Sequence, residues 1–234
     1  MGDEVIDFQI GRRLILKTMK LKTADFLVLV IASIPLIYWL QVGHIMPDRV
    51  PTHWNIRGQA DAWQSRDDLP VFLAVLAGVG ILLYIILRTL KKIDPKRSAQ
   101  LNEATAIKVG VGIVTMITML GLLMLYAPLK GYDIVSGVFL LISLFFAFLG
   151  NVMYNIKQNY FIGIRLPWTL DSEDNWTRTH RLAGVLWFVG GICCAALTFL
   201  VTPQSMAPVF FTVAISLLII PSVYSFLLFR RSKG

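Results

Sequence analysis

Apolar residues run almost unbroken through six stretches, roughly 24–42, 69–90, 107–127, 133–154, 182–201 and 208–229. Each is close to the ~20 residues that a helix needs to cross the hydrocarbon of a bilayer. The core of each stretch lacks Asp, Glu, Lys and Arg, and the polar residues gather between them. In lipid a helix satisfies its own backbone groups, whereas an open sheet does not. The pattern therefore predicts an all-α polytopic membrane protein, a bundle of six transmembrane helices. Boundary signals fit this division: Asp67 and Asp68 precede Pro70, Pro208 is expected to open the last span, and Pro128 and Gly131 mark the break between the third and fourth.

The basic residues predict an orientation. Of the 22 Lys and Arg, five precede the first span, three follow it, six lie around the second connection, one in the third, four in the fourth and three at the tail. Basic residues accumulate on the cytoplasmic side, so both termini and the even-numbered loops are expected there. Three segments result. Residues 1–23 form a basic cytoplasmic amino-terminal segment. Residues 24–127 hold three spans and an extracytoplasmic loop at 43–68, and residues 128–234 hold three more and a cytoplasmic loop at 154–181. The first span is expected to be a retained anchor, because Val42-Gly43-His44 offers no small-x-small cleavage pattern.

Composition narrows the function. Hydrophobic residues make up 56% and charged residues 15%, and mean hydropathy is +0.67. A soluble domain is about 45–50% apolar and ~25% charged, so a soluble enzyme, a disordered chain and a disulfide scaffold are excluded. Cys193 and Cys194 are adjacent and cannot join distant segments. The net charge of +8 suits anionic membrane lipids as partners, with no direct nucleic acid. Charge-free span centres argue against a proton-driven pump. No His-Glu-x-x-His, Gly-x-Ser-x-Gly or phosphate-loop pattern occurs, so no catalytic residue, metal or cofactor is expected. Ser143 with Ala147, and Gly191 with Ala195, are expected to let helices approach closely. Pro35 and Pro221 are expected to kink theirs. The sequon Asn175-Trp176-Thr177 falls on the side expected to be cytoplasmic and is rejected as a glycosylation site.

Two connections are too distinctive to be linkers. The first contains Pro47, Pro51, His53, Trp54, Asn55, Gly58, Asp61 and Trp63. Its prolines favour extended backbone, Gly58 permits a turn, and the two tryptophans suit an ordered flap at the membrane–water boundary. His44, His53 and Asp48 match no common metal-ligand spacing. The fourth connection runs from Asn151 through Asn159, Gly163, Arg165, Pro167, Trp168, Thr169, Trp176 and Arg181 to Gly184. Its mix of aromatic, aliphatic and single basic residues suits the headgroup layer. Thr169 to Asp171 are expected to start a helix with Glu173 and Asp174 in its first turn, packed on the bundle through Trp176. Arg165 and Arg181 are candidates to pair with acidic groups. His53 with Asp61, and His180 with Asp174, are the pairs an interfacial enzyme would use, but neither has a nucleophile or metal partner at useful spacing.

Both connections resemble known sequences. Pro-Thr-His53-Trp54-Asn55, Gly58 and Asp61-Ala-Trp63 resemble the short domain of unknown function that often precedes the SdpI family region. Gly150-Asn151, Asn159, Gly163-Ile-Arg165-Leu-Pro167-Trp168-Thr169-Leu170, Trp176, Arg181 and Gly184 resemble the signature of that family of bacterial immunity proteins. The resemblance implies a multi-pass protein of the bacterial plasma membrane that protects its cell against a secreted toxic peptide. It also implies, for some members, relay of toxin presence by recruiting a cytosolic transcriptional repressor. The binding residues it suggests are the outer set His53, Trp54, Asn55, Gly58, Asp61 and Trp63, and the inner set Asn151 to Arg181 named above. The alternative is a transporter or flippase-like protein, which calls for a polar cavity near Thr115, Thr118 or Ser143. The triplets Asp61-Ala-Trp63 and Asp174-Asn-Trp176 give a faint hint of an inverted repeat.

Overall fold

The computed structural model describes residues 22–55, 59–93 and 102–233. In chain order its elements are α1 (Thr23–Val42), β1 (Arg49–Trp54), β2 (Ala60–Ser65), α2 (Leu69–Ile93), α3 (Glu103–Lys130), α4 (Ile134–Met153), α5 (Pro167–Asp171), α6 (Glu173–Leu197) and α7 (Pro203–Lys233). All the helices except α5 are long and apolar enough to span a membrane. The six-helix bundle read from the sequence is the architecture found, with a β-hairpin added between α1 and α2.

The helix ends follow from local chemistry. Asn102 Oδ1 accepts the Ala104 N–H at the start of α3, and Asp133 accepts the Val135 and Ser136 N–H groups at the start of α4. Gly131 closes α3 at φ +67°, a left-handed conformation suited to glycine. Two starts differ from expectation. Helix α7 begins at Pro203, whose missing N–H costs nothing in a first turn, and Pro208 lies inside it. Helix α6 is capped by Ser172, whose Oγ accepts the Asn175 N–H, rather than by Thr169 to Asp171. It therefore starts nine residues before the apolar run, because its polar first turns pack on the preceding loop instead of lipid.

Packing divides the bundle into two groups. Helix α3 packs against α1 and α2, α6 packs against α4 and α7, and an α3–α4 contact joins the groups. The hub is thus the third span of the first group and the middle span of the second, so the halves do not repeat one another. The α4–α6 seam is the tightest. A Cβ at Gly191 would lie 2.5 Å from both Ala147 N and Ser143 O, and one at Gly150 would lie 2.4 Å from Phe188 N. In lipid, where burial of apolar surface drives little, small residues let backbones touch and gain van der Waals contact. This is the role expected of Ser143, Ala147 and Gly191, and Ala195 is buried beside them. Pro35 and Pro221 lie within α1 and α7 and are buried.

Charge enters the bundle at one end. Asp25 of α1, 6% exposed, forms an ion pair with Arg88 of α2. Its carboxylate also accepts the Tyr84 hydroxyl (2.6 Å) and the Lys22 N–H (2.7 Å). A buried charge needs such partners, and this cluster fixes α1 against α2 at the height where both helices leave the apolar zone.

Candidate functional site

The two distinctive loops lie at opposite ends of the bundle, because three membrane-length helices separate them. At the hairpin end, β1 and β2 pair antiparallel, with Arg49 opposite Ser65 and Trp54 opposite Ala60. Two irregularities in register leave Thr52 and Asp61 without cross-strand partners. The bulged backbone brings His53 Nδ1 to 2.6 Å from Asp61 Oδ1, close enough for an Nδ1–H to donate to the carboxylate. The hairpin is fastened at its base by Arg66, which donates to the Met46 carbonyl (3.2 Å) and faces Asp48 (3.5 Å). Asn55 donates its N–H to the Gln59 carbonyl (2.9 Å), and its Oδ1 accepts the Gln59 N–H (3.1 Å). Gly58 lies outside the described residues.

The tryptophans do not share one role, as the flap reading had expected. Trp54 is half-buried against the cluster of Met46, Val50, Leu69, Leu73 and Leu125. Trp63 is 48% exposed and is not part of that cluster. The outer candidates therefore divide into an anchor, Trp54, and an exposed group comprising His53, Asp61 and Trp63. His44 is exposed on the turn after α1, and no grouping of three metal-ligating side chains occurs among the described residues.

At the other end, residues 154–172 form a closed elbow rather than a strap lying free. Asn159, 2% exposed, organises it. Its Oδ1 accepts the Phe161 and Ile162 N–H groups (both 2.8 Å), and its Nδ2 donates to the Lys157 and Ile162 carbonyls (2.9 and 3.0 Å). The full capacity of the amide is used. Thr169 is fully buried; its hydroxyl accepts the Leu166 N–H (2.9 Å) and donates to the Ile164 carbonyl (2.8 Å). Pro167 occupies the first position of α5, and Gln158 Nε2 donates to the last carbonyls of that helix at Thr169 and Leu170.

Tryptophan and histidine then seal the elbow onto α6. Trp176 is fully buried, donates from Nε1 to the Ile156 carbonyl (2.9 Å), and stacks on His180 with ring centroids 3.9 Å apart. His180 Nε2 accepts the Ile164 N–H (2.8 Å). Nδ1 must then bear the proton, and it donates to the Trp176 carbonyl (2.8 Å). Gly163 passes over this ring at φ +119°, and a Cβ there would lie 2.4 Å from His180 Nε2. Only glycine fits that backbone and that gap. Trp168 Nε1 donates to Ser225 Oγ on α7 (2.7 Å), and Asn175 Nδ2 donates to the Ser225 carbonyl (2.9 Å). The side chain of the sequon asparagine is thus consumed inside the protein.

Several expectations are corrected by this geometry. His180 does not meet Asp174, which faces Arg178 at 3.6 Å. Arg165 donates to the Tyr160 carbonyl (3.0 Å), and Arg181 is exposed; neither pairs with an acidic group among the described residues. Asn151 stands apart from the elbow network and accepts Lys108 Nζ at 3.3 Å. The polar cavity required of a transporter is not formed by its three candidates. Thr115 donates to the Val111 carbonyl, Thr118 to the Ile31 carbonyl, and Ser143 is buried in the α4–α6 seam. Sequence reading passed over Gln158 and Ser225. Gln158 carried no motif signal, and Ser225 looked like one more small residue in an apolar run.

The comparisons agree with the two-loop layout. Residues 155–225 match the SdpI/YfhL protein family, and residues 30–84 match a domain of unknown function, DUF1648. The curated protein "Immunity protein SdpI" of Bacillus subtilis (strain 168) is 25% identical over 197 residues, covering 81% of this chain and 87% of that protein. No solved structure matches significantly. The hairpin falls inside the DUF1648 match, and the elbow from residue 155 onward with its Ser225 contact falls inside the SdpI/YfhL match, so the carboxy-terminal part of this membrane protein is similar to that family and the segment ahead of it is similar to DUF1648.

Proposed function

We propose that this protein is a membrane immunity protein that intercepts a secreted toxic peptide at the hairpin end. The observation that carries this reading is the breadth of the likeness to an immunity protein. An alignment covering 81% of the chain is long enough that it must include both the hairpin and the elbow. The charge asymmetry supports the sidedness the proposal needs: the hairpin end holds few basic residues and the elbow end many, and the basic side faces the cytoplasm. Both termini are then cytoplasmic and the hairpin faces outward, in the plasma membrane of a bacterium. Exposed Trp63 beside the His53–Asp61 pair offers an amphipathic surface to an arriving peptide.

A relay function is the second part of the proposal. Arg178 and Arg181 are exposed at the elbow end, where a cytosolic repressor would dock. The polar groups of the elbow are engaged with one another, which suits a rigid platform better than a catalytic centre.

Expression in a toxin-sensitive strain tests the proposal. The expected result is survival that depends on Trp63 and His53. Unchanged killing by every related peptide toxin, with the protein confirmed in the membrane, would overturn it. For the relay, charge reversal at Arg178 and Arg181 is expected to release a fluorescent repressor from the membrane; recruitment that survives both reversals would refute that part.

A further inference from the structure

The lipid-facing junction of α1, α3 and α4 contains an open groove of about 670 Å³, within the range of ligand pockets (about 300–1,000 Å³). Its walls include Leu27, Met119, Leu144, Phe145 and Phe148, and Thr115 turns its hydroxyl back to its own helix. Along α3 the lining extends from Ile107 to Met119, about 18 Å at 1.5 Å per residue. That is close to the hydrocarbon depth of one leaflet, about 15 Å. Helix α4 contributes Phe148 to Leu141 in the opposite direction, and α1 contributes only Ala24 and Leu27 from its first turns. The groove therefore occupies the leaflet at the elbow end and stops near mid-membrane.

One cation, Lys108, lines its elbow end. Lys108 Nζ donates to Asn151 Oδ1 (3.3 Å), a neutral partner, and Lys108 pairs with no carboxylate among the described residues. The neighbouring Lys22 and Glu103 face each other at 2.6 Å and offset one another. Because Asn151 uses its oxygen on Lys108, its Nδ2 hydrogens remain available as donors beside the ammonium group.

We propose that this groove is a phospholipid site, with one acyl chain lying along α3 from Lys108 to Met119 and an anionic headgroup phosphate held by Lys108 and Asn151. The depth of the groove selects a lipid over a partner's spanning helix, which would need a surface through both leaflets. The cation at headgroup height selects an anionic lipid. The site gives Asn151, which is outside the elbow network, a role of its own. It does not depend on the immunity reading; only the name of the leaflet, cytoplasmic, follows from the sidedness proposed above.

Native mass spectrometry of the full chain, released from nanodiscs with equal phosphatidylglycerol and phosphatidylcholine of matched chains, tests it. The wild type is expected to retain phosphatidylglycerol about fivefold over phosphatidylcholine, as one basic residue at the membrane surface supplies. Lys108→Gln is expected to abolish the preference and Lys108→Arg to restore it. Leu144→Trp, at a position 45% exposed, is expected to fill the groove and reduce retention of both lipids. Added inorganic phosphate is expected not to compete. Equal retention of the two lipids by the wild type, a preference surviving both Lys108→Gln and Leu144→Trp, displacement by inorganic phosphate, or a second copy of the chain in place of lipid would each overturn the proposal.

Discussion

Gly163→Ala is the sharpest perturbation of the elbow. The backbone there has φ +119°, a region that holds a side chain only at a cost of about 1–3 kcal/mol. The new methyl would also lie 2.4 Å from His180 Nε2, the atom that accepts the Ile164 N–H. Either the imidazole moves or the loop lifts, and in both cases a buried donor and acceptor separate at about 1–3 kcal/mol. The total, roughly 2–6 kcal/mol, is enough to open the elbow locally without unthreading the spans. Hydrogen exchange in nanodiscs reads this directly, because each 1.4 kcal/mol is about tenfold in protection. Amides at 161–164 are expected to exchange at least about 30-fold faster in Gly163→Ala, while those of α3 stay unchanged. A double-mutant cycle separates the two costs. Against His180→Ala, which removes the ring, Gly163→Ala is expected to cost only its backbone share, a coupling of about 1–3 kcal/mol. Wild-type protection in Gly163→Ala, or no coupling to His180, would refute the reasoning.

Three further outcomes are expected. Trp54→Ala removes the hairpin's contact with the cluster around Val50 and Leu125 and should loosen the strands by about 1.5–3 kcal/mol; Trp63→Ala should leave their exchange unchanged and lower only toxin protection. Asp25→Asn or Arg88→Met alone should destabilise by about 3–5 kcal/mol by stranding a buried charge, and Asp25→Leu combined with Arg88→Met should recover much of the loss of melting temperature in detergent. Gly150→Leu should separate α4 from α6 and reduce the folded fraction, whereas Gly78→Leu, where a Cβ meets nothing within 4 Å, should be neutral; equal behaviour of the two would contradict the small-residue seam.

The spans were legible because hydropathy over some 20 residues is a strong signal that tertiary contacts do not override. The small-residue faces were legible for a related reason, as Ser143 with Ala147 and Gly191 with Ala195 repeat at helical spacing; that the two faces meet each other was not. The extended flap was legible from Pro47, Pro51 and Gly58, but its paired strands were not: Pro51 and the unpaired Thr52 and Asp61 interrupt the period-two alternation that marks a strand. The start of α6 was misplaced because the sequence there is polar, yet its polar side chains, Asn175, Thr179 and His180, are buried against the elbow rather than solvated. Asp25 and Arg88 read as ordinary flanking charges, since nothing local reveals that two helix ends meet across 63 residues of chain. The elbow's residue types were identified through the family resemblance, but their jobs were not. Long-range bonds such as Trp168 to Ser225 leave no trace in spacing.

The account rests most on which end of the bundle faces outward. In a background with Cys193 and Cys194 replaced by serine, single cysteines at exposed positions, Ala62→Cys in the hairpin and Glu173→Cys at the elbow, can be probed with a membrane-impermeant maleimide. The account predicts that intact cells label Ala62→Cys and label Glu173→Cys only after permeabilisation. Labelling of Glu173→Cys in intact cells, with Ala62→Cys protected, would contradict it.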